Sequence, residues 1–517
     1  MTAQQVWLII KEQWLKFFSG LAQALVIFIL FAIILLVTIR GLSYFWPKSI
    51  ATIEYLTSEQ SKATVYAYSA SNSNDLNGRI WLNLDSWTNP RNRTQIFVRQ
   101  DDFISESATQ GVARIDFKDG RFLLARPVSL MLDEQLFEVD IFPVLQKQIQ
   151  QKLDEIDVLN SGALIGINRS IAQLRAQGVT EEKAHLASLN AEFVQIQSQI
   201  SDIQQSLDAF KMHLTLADGS PLTIGIQNIR LMSFPNDIGW WRKLIVFKDN
   251  LTLFLTEDNR SANQAGGVFP AIFGTILMVF LMTIIVSPLG IMAAIYLTEY
   301  APNNAIVGII RLAVSNLAAV PSVVYGVFGL GFLVYQLGGS IDSLFYSHKI
   351  QTPTFGTPGL LWASLTMSLL TLPVVIVATE EGLRRVPGGL RKASYALGAT
   401  RYETIRRIVL PVASSSLMTG IILAIARAAG EVAPMLMVGA VKYAPELPVD
   451  GQFPFLHLER QFMHLGVLIY DGAFHGQSTQ QGAGIMFASC LFLLTVVLLL
   501  NFIAIAVRAR LQSRYGY

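Results

Sequence analysis

Two opposite charges interrupt an otherwise uncharged stretch in the C-terminal half of the chain. Between residues 408 and 441, Arg427 and Glu431 are the only charged residues. An arginine at mid-membrane costs at least about 2.5–3.5 kcal/mol, so it normally faces protein or a water-filled cavity and has a partner. Helical geometry would place Glu431 on the same face, four residues on, and a guanidinium presents a planar fork that suits oxyanions such as phosphate. The pair is therefore either part of an anion pathway or a structural lock between helices.

A second candidate segment, residues 380–411, combines seven basic residues with a helical pattern. Apolar Ala393, Ala396 and Leu397 recur at helical spacing, and Gly398 then interrupts. Thr400 can cap a second helix that continues to Pro411. A linker that only sets membrane topology would need the charges but not this pattern. The segment is predicted to form two helices joined by a turn.

The elements that must position these residues are apolar. The chain has 517 residues, of which 52% are hydrophobic and 15% charged, against about 25% charged in soluble domains. A membrane-spanning helix needs about 20 apolar residues. The first of six candidate runs is too long for a signal-peptide core and is interpreted as an uncleaved anchor. The runs cover residues 21–39, 261–298, 312–341, 350–379, 408–441 and 472–507.

Basic residues near the span ends predict the topology, because cytoplasmic loops carry the excess of lysine and arginine. With both termini in the cytoplasm, the short opposite loops hold only Lys349, Lys442 and Arg460. Residues 41–266, as a long translocated loop, then lie outside. The thirteen basic residues on the cytoplasmic side are Lys11, Lys16, Arg311, Arg384, Arg385, Arg391, Lys392, Arg401, Arg406, Arg407, Arg508, Arg510 and Arg514.

The outer segment, residues 41–266, is predicted to be an α+β domain. Alternating patterns around Asp119-Gly120 and Asp218-Gly219 indicate two β-hairpins. Between them, apolar residues repeat with a 3,4 spacing typical of a helical seam, and residues 178–182 combine a helix stop with an N-cap. We expect an antiparallel, coiled-coil-like helical hairpin at about residues 145–212, acting as a spacer or packing arm.

Several functions find no support in the sequence. Phosphate-binding loops and metalloprotease motifs are absent, and one cysteine, Cys490, excludes an internal disulfide. The six histidines lack a metal-ligand spacing and are assigned no ligand role. With a net charge of +2, a nucleic-acid partner is not indicated. We expect no catalytic residue, no metal and no cofactor, and the chain is not predicted to be an enzyme.

The segment around Gly398 resembles the EAA loop of ABC importer permeases. The pattern is Glu-Ala-Ala, three residues, Gly, nine residues, Ile, one residue and Leu-Pro. This chain departs from it at Lys392 and Ser394. The residues in register are Ala393, Gly398, Ile408, Leu410 and Pro411. With residues 266–275, 287–300, 393–401 and 426–434, the chain resembles the PstA-type permeases of phosphate ABC importers.

The resemblance implies a type I importer fold with six transmembrane helices, in a multi-pass protein of the bacterial inner membrane. It implies a heterodimer with a sister PstC-type permease, two cytoplasmic ATP-binding subunits and a periplasmic phosphate-binding protein. The expected divisions are an N-tail and first helix (1–40), a periplasmic domain (41–266), a permease core (267–510) and a cytoplasmic tail (511–517). Arg427 and Glu431 become candidates for the phosphate path. The candidates for coupling to the ATPase are Ala393, Gly398, Ala399, Thr400, Arg401, Ile408, Leu410 and Pro411.

Two alternatives to a PstA-type subunit stay open at this point. One is the sister PstC-type permease or a permease for another oxyanion. The other is a membrane-anchored coiled-coil scaffold or sensor, which would explain the helical hairpin but neither the EAA-like loop nor the arginine in the fifth span.

Overall fold

The architecture is that of a helical membrane protein with a β-rich insertion. The computed structural model describes residues 3–57, 60–68, 79–88, 95–119, 121–132, 135–164, 166–167, 183–256, 267–346, 353–451, 453–474 and 480–515. The helices are α1 Ala3–Ser43, α2 Phe142–Val158, α3 Lys183–Asp208, α4 Trp240–Thr256, α5 Phe269–Ile295, α6 Ala305–Leu317, α7 Ser322–Phe328, α8 Gly339–Phe345, α9 Leu360–Arg385, α10 Gly388–Ala396, α11 Arg401–Thr404, α12 Leu410–Gly430, α13 Ala433–Val438, α14 Leu465–Phe474 and α15 Gln480–Tyr515.

Six helical segments in this described part are long and apolar enough to cross a membrane, which agrees with the six predicted runs. π-helical turns extend α5 to Tyr300, join α7 to α8 through Gly329–Gly338, and join α11 to α12 through Ile405–Val409. The six segments are Lys16–Ser43, Phe269–Tyr300, Ser322–Phe345, Leu360–Arg385, Arg401–Gly430 and Ala483–Arg510.

Two shorter apolar helices, α6 and α14, were not predicted. The third apolar run contains the end of α6 at Leu317 and the start of α7 at Ser322. Pro321 separates them, because it has no N–H with which to continue the α6 ladder. The sixth run likewise begins inside α14, and its spanning helix starts near Ala483. An uncharged run therefore predicts an apolar segment, but it does not predict where the helices within that segment begin and end.

Helix α9 is the centre of the membrane bundle and is enclosed by α5 and α12. Its 18-residue apolar window is 67% buried, against 0% for the corresponding window of α1. Small residues permit the close approach: a Cβ at Gly382 would lie 2.5 Å from Cβ of Ser416, and a Cβ at Gly420 would lie 2.9 Å from Cβ of Ala378. Membrane helices associate through such small-residue contacts, because burial against lipid offers little gain.

The residues between α1 and α4 form a domain with two antiparallel sheets, which we call the extramembrane domain (residues 50–239). One sheet has the order β4-β3-β2-β1-β5, and the other has β10-β9-β7-β6-β11 with β8 paired to β7. The strands are β1 Ile50–Leu56, β2 Lys62–Tyr68, β3 Arg79–Asn83, β4 Gln95–Arg99, β5 Phe103–Ala108, β6 Ala113–Phe117, β7 Phe122–Leu132, β8 Gln135–Phe137, β9 Lys211–Thr215, β10 Pro221–Gly225 and β11 Ile229–Ser233.

Both predicted β-hairpins are present in the second sheet. Ile115 pairs with Leu123, and Leu214 pairs with Leu222. The helical seam is also present, since Ile149 and Ile156 of α2 and Ile200 of α3 are buried in one apolar cluster. The predicted hairpin turn at residues 178–182 and Gly120 lie outside the described residues.

Candidate functional site

The helix that carries Arg427 ends earlier than the sequence predicted. Helix α12 stops at Gly430, and Glu431 is extended with φ −86° and ψ 128°. The expectation that Arg427 and Glu431 lie on one face of a continuous helix is therefore wrong. Pro434, near the start of α13, supplies the reason, because in an unbroken helix its ring would clash with the carbonyl of Gly430 and it could not donate to it.

The two charges are nevertheless neighbours. Arg427 Nε lies 3.9 Å from Glu431 Oε1, and the side chains are 34% and 26% exposed. Charge-assisted hydrogen bonds are about 2.7–2.9 Å long, so this is a loose ion pair. Arg427 Nε is buried and has no hydrogen-bond partner among the described residues. The guanidinium is thus held at the end of α12 with donor capacity that its carboxylate neighbour does not use.

The surroundings of Arg427 come from α7 and α13. Tyr325 on α7 lies within electrostatic reach of Arg427 and donates its hydroxyl to the carbonyl of Leu317 at 2.9 Å. Helix α7 packs tightly on α13, because a Cβ at Gly326 would lie 2.7 Å from Cα of Pro434. Arg427 therefore lies where the broken end of α12 meets α7.

A broad apolar surface adjoins this region. Helices α6 and α7 and the π-helical segment after α7 expose large apolar side chains that nothing in the described chain covers. We call it the α6–α7 face. It consists of Ile306, Ile309, Ile310, Leu312, Leu317, Val323, Val324, Val327, Phe328, Phe332 and Tyr335.

The segment around Gly398 forms the two helices and turn that the sequence predicted. Helix α10 ends in a Schellman motif: Gly398 N–H donates to the carbonyl of Tyr395 at 3.0 Å, and Ala399 N–H to that of Ser394 at 3.2 Å. Gly398 has φ +84°, a conformation that glycine adopts without the steric cost of a side chain. Thr400 and Glu403 then form a capping box that starts α11.

The residues in register with the EAA pattern differ in how far they are exposed. Ala393 and Gly398 are exposed, whereas Ile408, Leu410 and Pro411 are half-buried. Arg401, a further candidate for coupling, is exposed as well. Ser394, at the pattern's second alanine, is buried, and its hydroxyl lies 2.8 Å from that of Thr404. This hydrogen bond fastens α10 to α11, a role that the sequence analysis missed because the two residues are ten positions apart.

The turn is also fastened to the membrane bundle by a buried ion pair that the sequence analysis missed. Arg391 on α10 donates through Nη2 to Glu299 Oε1 and to the carbonyl of Leu383, both at 2.8 Å, and through Nη1 to the carbonyl of Val386 at 2.7 Å. Glu299 belongs to the π-helical turn that extends α5. These bonds tie α10 to the ends of α5 and α9.

We expect Arg391→Ala to loosen this segment strongly. The substitution leaves Glu299 buried without its partner, and breaking a buried pair in this way costs about 3–5 kcal/mol. Amide hydrogen exchange of residues 388–404 in the purified protein measures the effect. The matched control is Arg385→Ala, which breaks an exposed 3.7 Å pair with Glu381 and should cost about 0–1 kcal/mol. Equal loss of protection in both variants would contradict the anchoring role.

The histidines of the loop between α13 and α14 take part in packing and hydrogen bonding. His457 lies 3.1 Å from both Asp450 and Glu459, and Arg460 pairs with Asp450 at 2.7 Å. Within the described residues, no group of three histidine, cysteine or acidic side chains could hold a metal ion. The arrangement stabilises the loop through ion pairs. His348 and His475 lie outside the described residues.

The C-terminal half of the chain matches a family profile described as binding-protein-dependent transport system inner membrane component, over residues 286–517. A phosphate transport system permease protein PstA of Yersinia pestis is 34% identical over 263 residues, which are 50% of this chain and 79% of that protein. A probable ABC transporter permease protein, YqgH, of Bacillus subtilis is 36% identical over 202 residues, 38% of this chain and 61% of that protein.

The match to some relatives is shorter. Phosphate transport system permease protein PstA 1 of Mycobacterium tuberculosis is 38% identical over 36% of this chain, which spans 55% of that relative's length. Among solved structures, the MetNI methionine ABC transporter in inward-facing conformations aligns with 47% of this chain and 94% of its own, at 19% identity and a TM-score of 0.35. The sequence matches are sufficient to place the molecule: the chain belongs to the family of binding-protein-dependent transport system inner membrane components and, within it, to the PstA-type ABC permeases.

Proposed function

We propose that this chain is the PstA-type transmembrane subunit of an ATP-driven phosphate importer and forms half of its translocation pathway. The observation that carries the proposal is Arg427, a partly exposed guanidinium with an uncommitted Nε donor at the broken end of α12. The PstA relatives are named as phosphate transport system permease proteins. The fork of a guanidinium suits the phosphate anion. ATP hydrolysis is assigned to partner subunits.

Glu431 has a distinct part in this proposal. Its carboxylate lies close enough to Arg427 to attract it but too far for a short charge-assisted bond. An arriving oxyanion therefore competes with a weak partner instead of displacing a strong one. Glu431 holds the guanidinium in place between transport events.

The ATP-binding subunits are proposed to dock on the turn between α10 and α11. The side chain at its tip, Leu397, is 89% exposed, and an apolar side chain so exposed fits a pocket on a partner. Tyr395 and Tyr402 are exposed beside it. A shift of this turn would be passed through Arg391 and Glu299 to α5 and α9, which pack against α12, the helix of Arg427. The chain would therefore couple ATP hydrolysis to transport as well as line the pathway.

Two further partners are proposed, a sister permease and a phosphate-binding protein. The α6–α7 face is proposed to pack against the sister PstC-type permease, because its large apolar side chains are exposed and Tyr325 of α7 lies within electrostatic reach of Arg427. A phosphate-binding protein would dock on the opposite side of the membrane from the turn between α10 and α11.

The membrane location follows from the family and the six apolar helices. The proposed orientation, with both termini cytoplasmic and residues 41–266 periplasmic, is supported by the thirteen-to-three distribution of basic residues.

Uptake by cells that lack this gene tests the proposal. Restoring the full chain should restore ATP-dependent uptake of radiolabelled phosphate and leave sulfate uptake unchanged. Sulfate is the matched control, because it has the same size and tetrahedral shape. Restored sulfate uptake without phosphate uptake would assign the permease to another oxyanion, and no effect on either would reject the oxyanion pathway.

A further inference from the structure

A cavity of about 250 Å³ lies where the extramembrane domain meets the ends of the membrane helices α1 and α15. Its walls include Ser43, Tyr44 and Trp46 from the end of α1, and Gly484 from α15. Tyrosine and tryptophan favour the headgroup level of a bilayer. Pockets for drug-sized ligands measure about 300–1,000 Å³, so this cavity suits a smaller occupant at headgroup depth.

The charges around the cavity are unbalanced. Its lining contains a single acidic side chain, Asp116, among the described residues. The membrane helix, the connecting segment and the second sheet all contribute cations. The basic lining side chains are Arg40, Lys48, Arg114, Arg121 and Arg230.

Two of the arginines already have carboxylate partners. Arg114 Nη2 lies 2.7 Å from Asp116 Oδ1, and Arg121 Nη2 lies 2.6 Å from Asp119 Oδ2. In contrast, no described carboxylate pairs with Arg40 or Lys48. The Lys48 ammonium lies over the ring of Tyr68, 6.0 Å from its centroid. The two cations from the membrane side thus add positive charge that no described carboxylate neutralises.

The cations are close enough to affect one another. Desolvation in the cavity lowers the pKa of Lys48, and Arg114 and Arg40 lower it further by repulsion. Converging like charges are costly in a partly enclosed site, and an anion placed among them would remove that cost. The site is therefore complementary to a small anion.

We propose that this cavity binds an anion of the phosphate class, at a site separate from Arg427. Two sources have that chemistry: the phosphate of a phospholipid headgroup and free inorganic phosphate. Charge-assisted hydrogen bonds from Arg40 and Lys48 would hold its oxygens, and the aromatic walls would border it on the membrane side. A ligand here would tie the extramembrane domain to α1 and α15.

The reactivity of Lys48 tests the proposal directly. The full-length protein is kept in maltoside micelles, which contain no phosphate, and treated with a small amine-acylating reagent. Mass spectrometry then gives the labelling rate at each lysine. Inorganic phosphate is added in one arm and phosphatidylglycerol in the other. A bound anion raises the pKa of Lys48, and each unit of that rise lowers the reactive neutral amine about tenfold.

We expect at least one probe to slow labelling of Lys48 about tenfold while exposed Lys211 on β9 keeps its rate. Slowing by phosphatidylglycerol alone identifies a lipid headgroup, whereas slowing by inorganic phosphate identifies free anion. The protection should be lost in Arg40→Gln and kept in the matched variant Arg99→Gln, which removes an exposed cation of β4. No slowing with either probe, equal slowing at Lys211, or full protection in Arg40→Gln would overturn the proposal. The readout does not depend on transport.

Discussion

Arg427→Gln is expected to abolish phosphate uptake while the transporter still assembles. Glutamine keeps a polar but shorter side chain and removes the charge and the fork with which the guanidinium would hold two oxygens. Hydrogen bonds to charged groups contribute about 1.5–3 kcal/mol each, so the loss of two corresponds to at least a hundredfold in affinity. Radiolabelled phosphate uptake measures the effect, and co-purification of the partner subunits measures assembly.

A second substitution separates the pathway from a structural lock. If the 3.9 Å pair between Arg427 and Glu431 only locked two segments, Arg427→Gln and Glu431→Gln would weaken the protein similarly. If Arg427 binds phosphate, Glu431→Gln removes a competing carboxylate and should retain or increase the affinity for phosphate. The matched control is Arg510→Gln, at the exposed end of α15, which should transport normally. Normal uptake by Arg427→Gln would refute the pathway role.

Local signals were enough to predict the turn around Gly398. Gly398 and Thr400 mark a helix stop and an N-cap, and the structure has a Schellman motif and a capping box at those residues. Both motifs depend on residues within five positions of each other, so the sequence contains all that they need. The six apolar runs were predictable for the same reason, because hydropathy is a property of the local composition.

Features that depend on distant partners were not predictable. Arg391 and Glu299 are 92 positions apart, and the charge of each is equally compatible with an exposed surface. Leu397 fitted an apolar helical repeat, yet it is exposed, as are Ala393 and Ala396 of the same repeat. The pairing of β1 with β5 and of β6 with β11 likewise requires long loops to close, and no local pattern selects such partners. At Pro434 a local signal was present, since a proline cannot donate to the carbonyl of Gly430 and its ring crowds that carbonyl, which weakens a helix at this point.

Gly398→Val is expected to uncouple ATP hydrolysis from phosphate transport. Nothing lies within 4 Å of a Cβ at this position, so the substitution acts through the backbone and not by collision with a neighbour. Gly398 has φ +84°, and a residue with a side chain in the left-handed region costs about 1–2 kcal/mol, which changes a conformational equilibrium about 5- to 30-fold. The Schellman motif should open, and Leu397 would then leave the position from which it is proposed to contact the ATP-binding subunit.

The measurement is phosphate transported per ATP hydrolysed by the purified complex in vesicles, which should fall about 5- to 30-fold. Gly388→Val is the matched control, because Gly388 also has open space around its Cβ but does not require a positive φ. Its ratio should equal that of the unmodified protein, since valine is no worse than glycine in a helix. A normal ratio in Gly398→Val would show that the turn is not the coupling element, whereas an equal fall in both variants would place the effect in the surface of α10 instead of the left-handed turn. Because both glycines have open space around a Cβ and only Gly398 has a positive φ, the comparison separates the backbone conformation of the turn from the bulk of the added side chain.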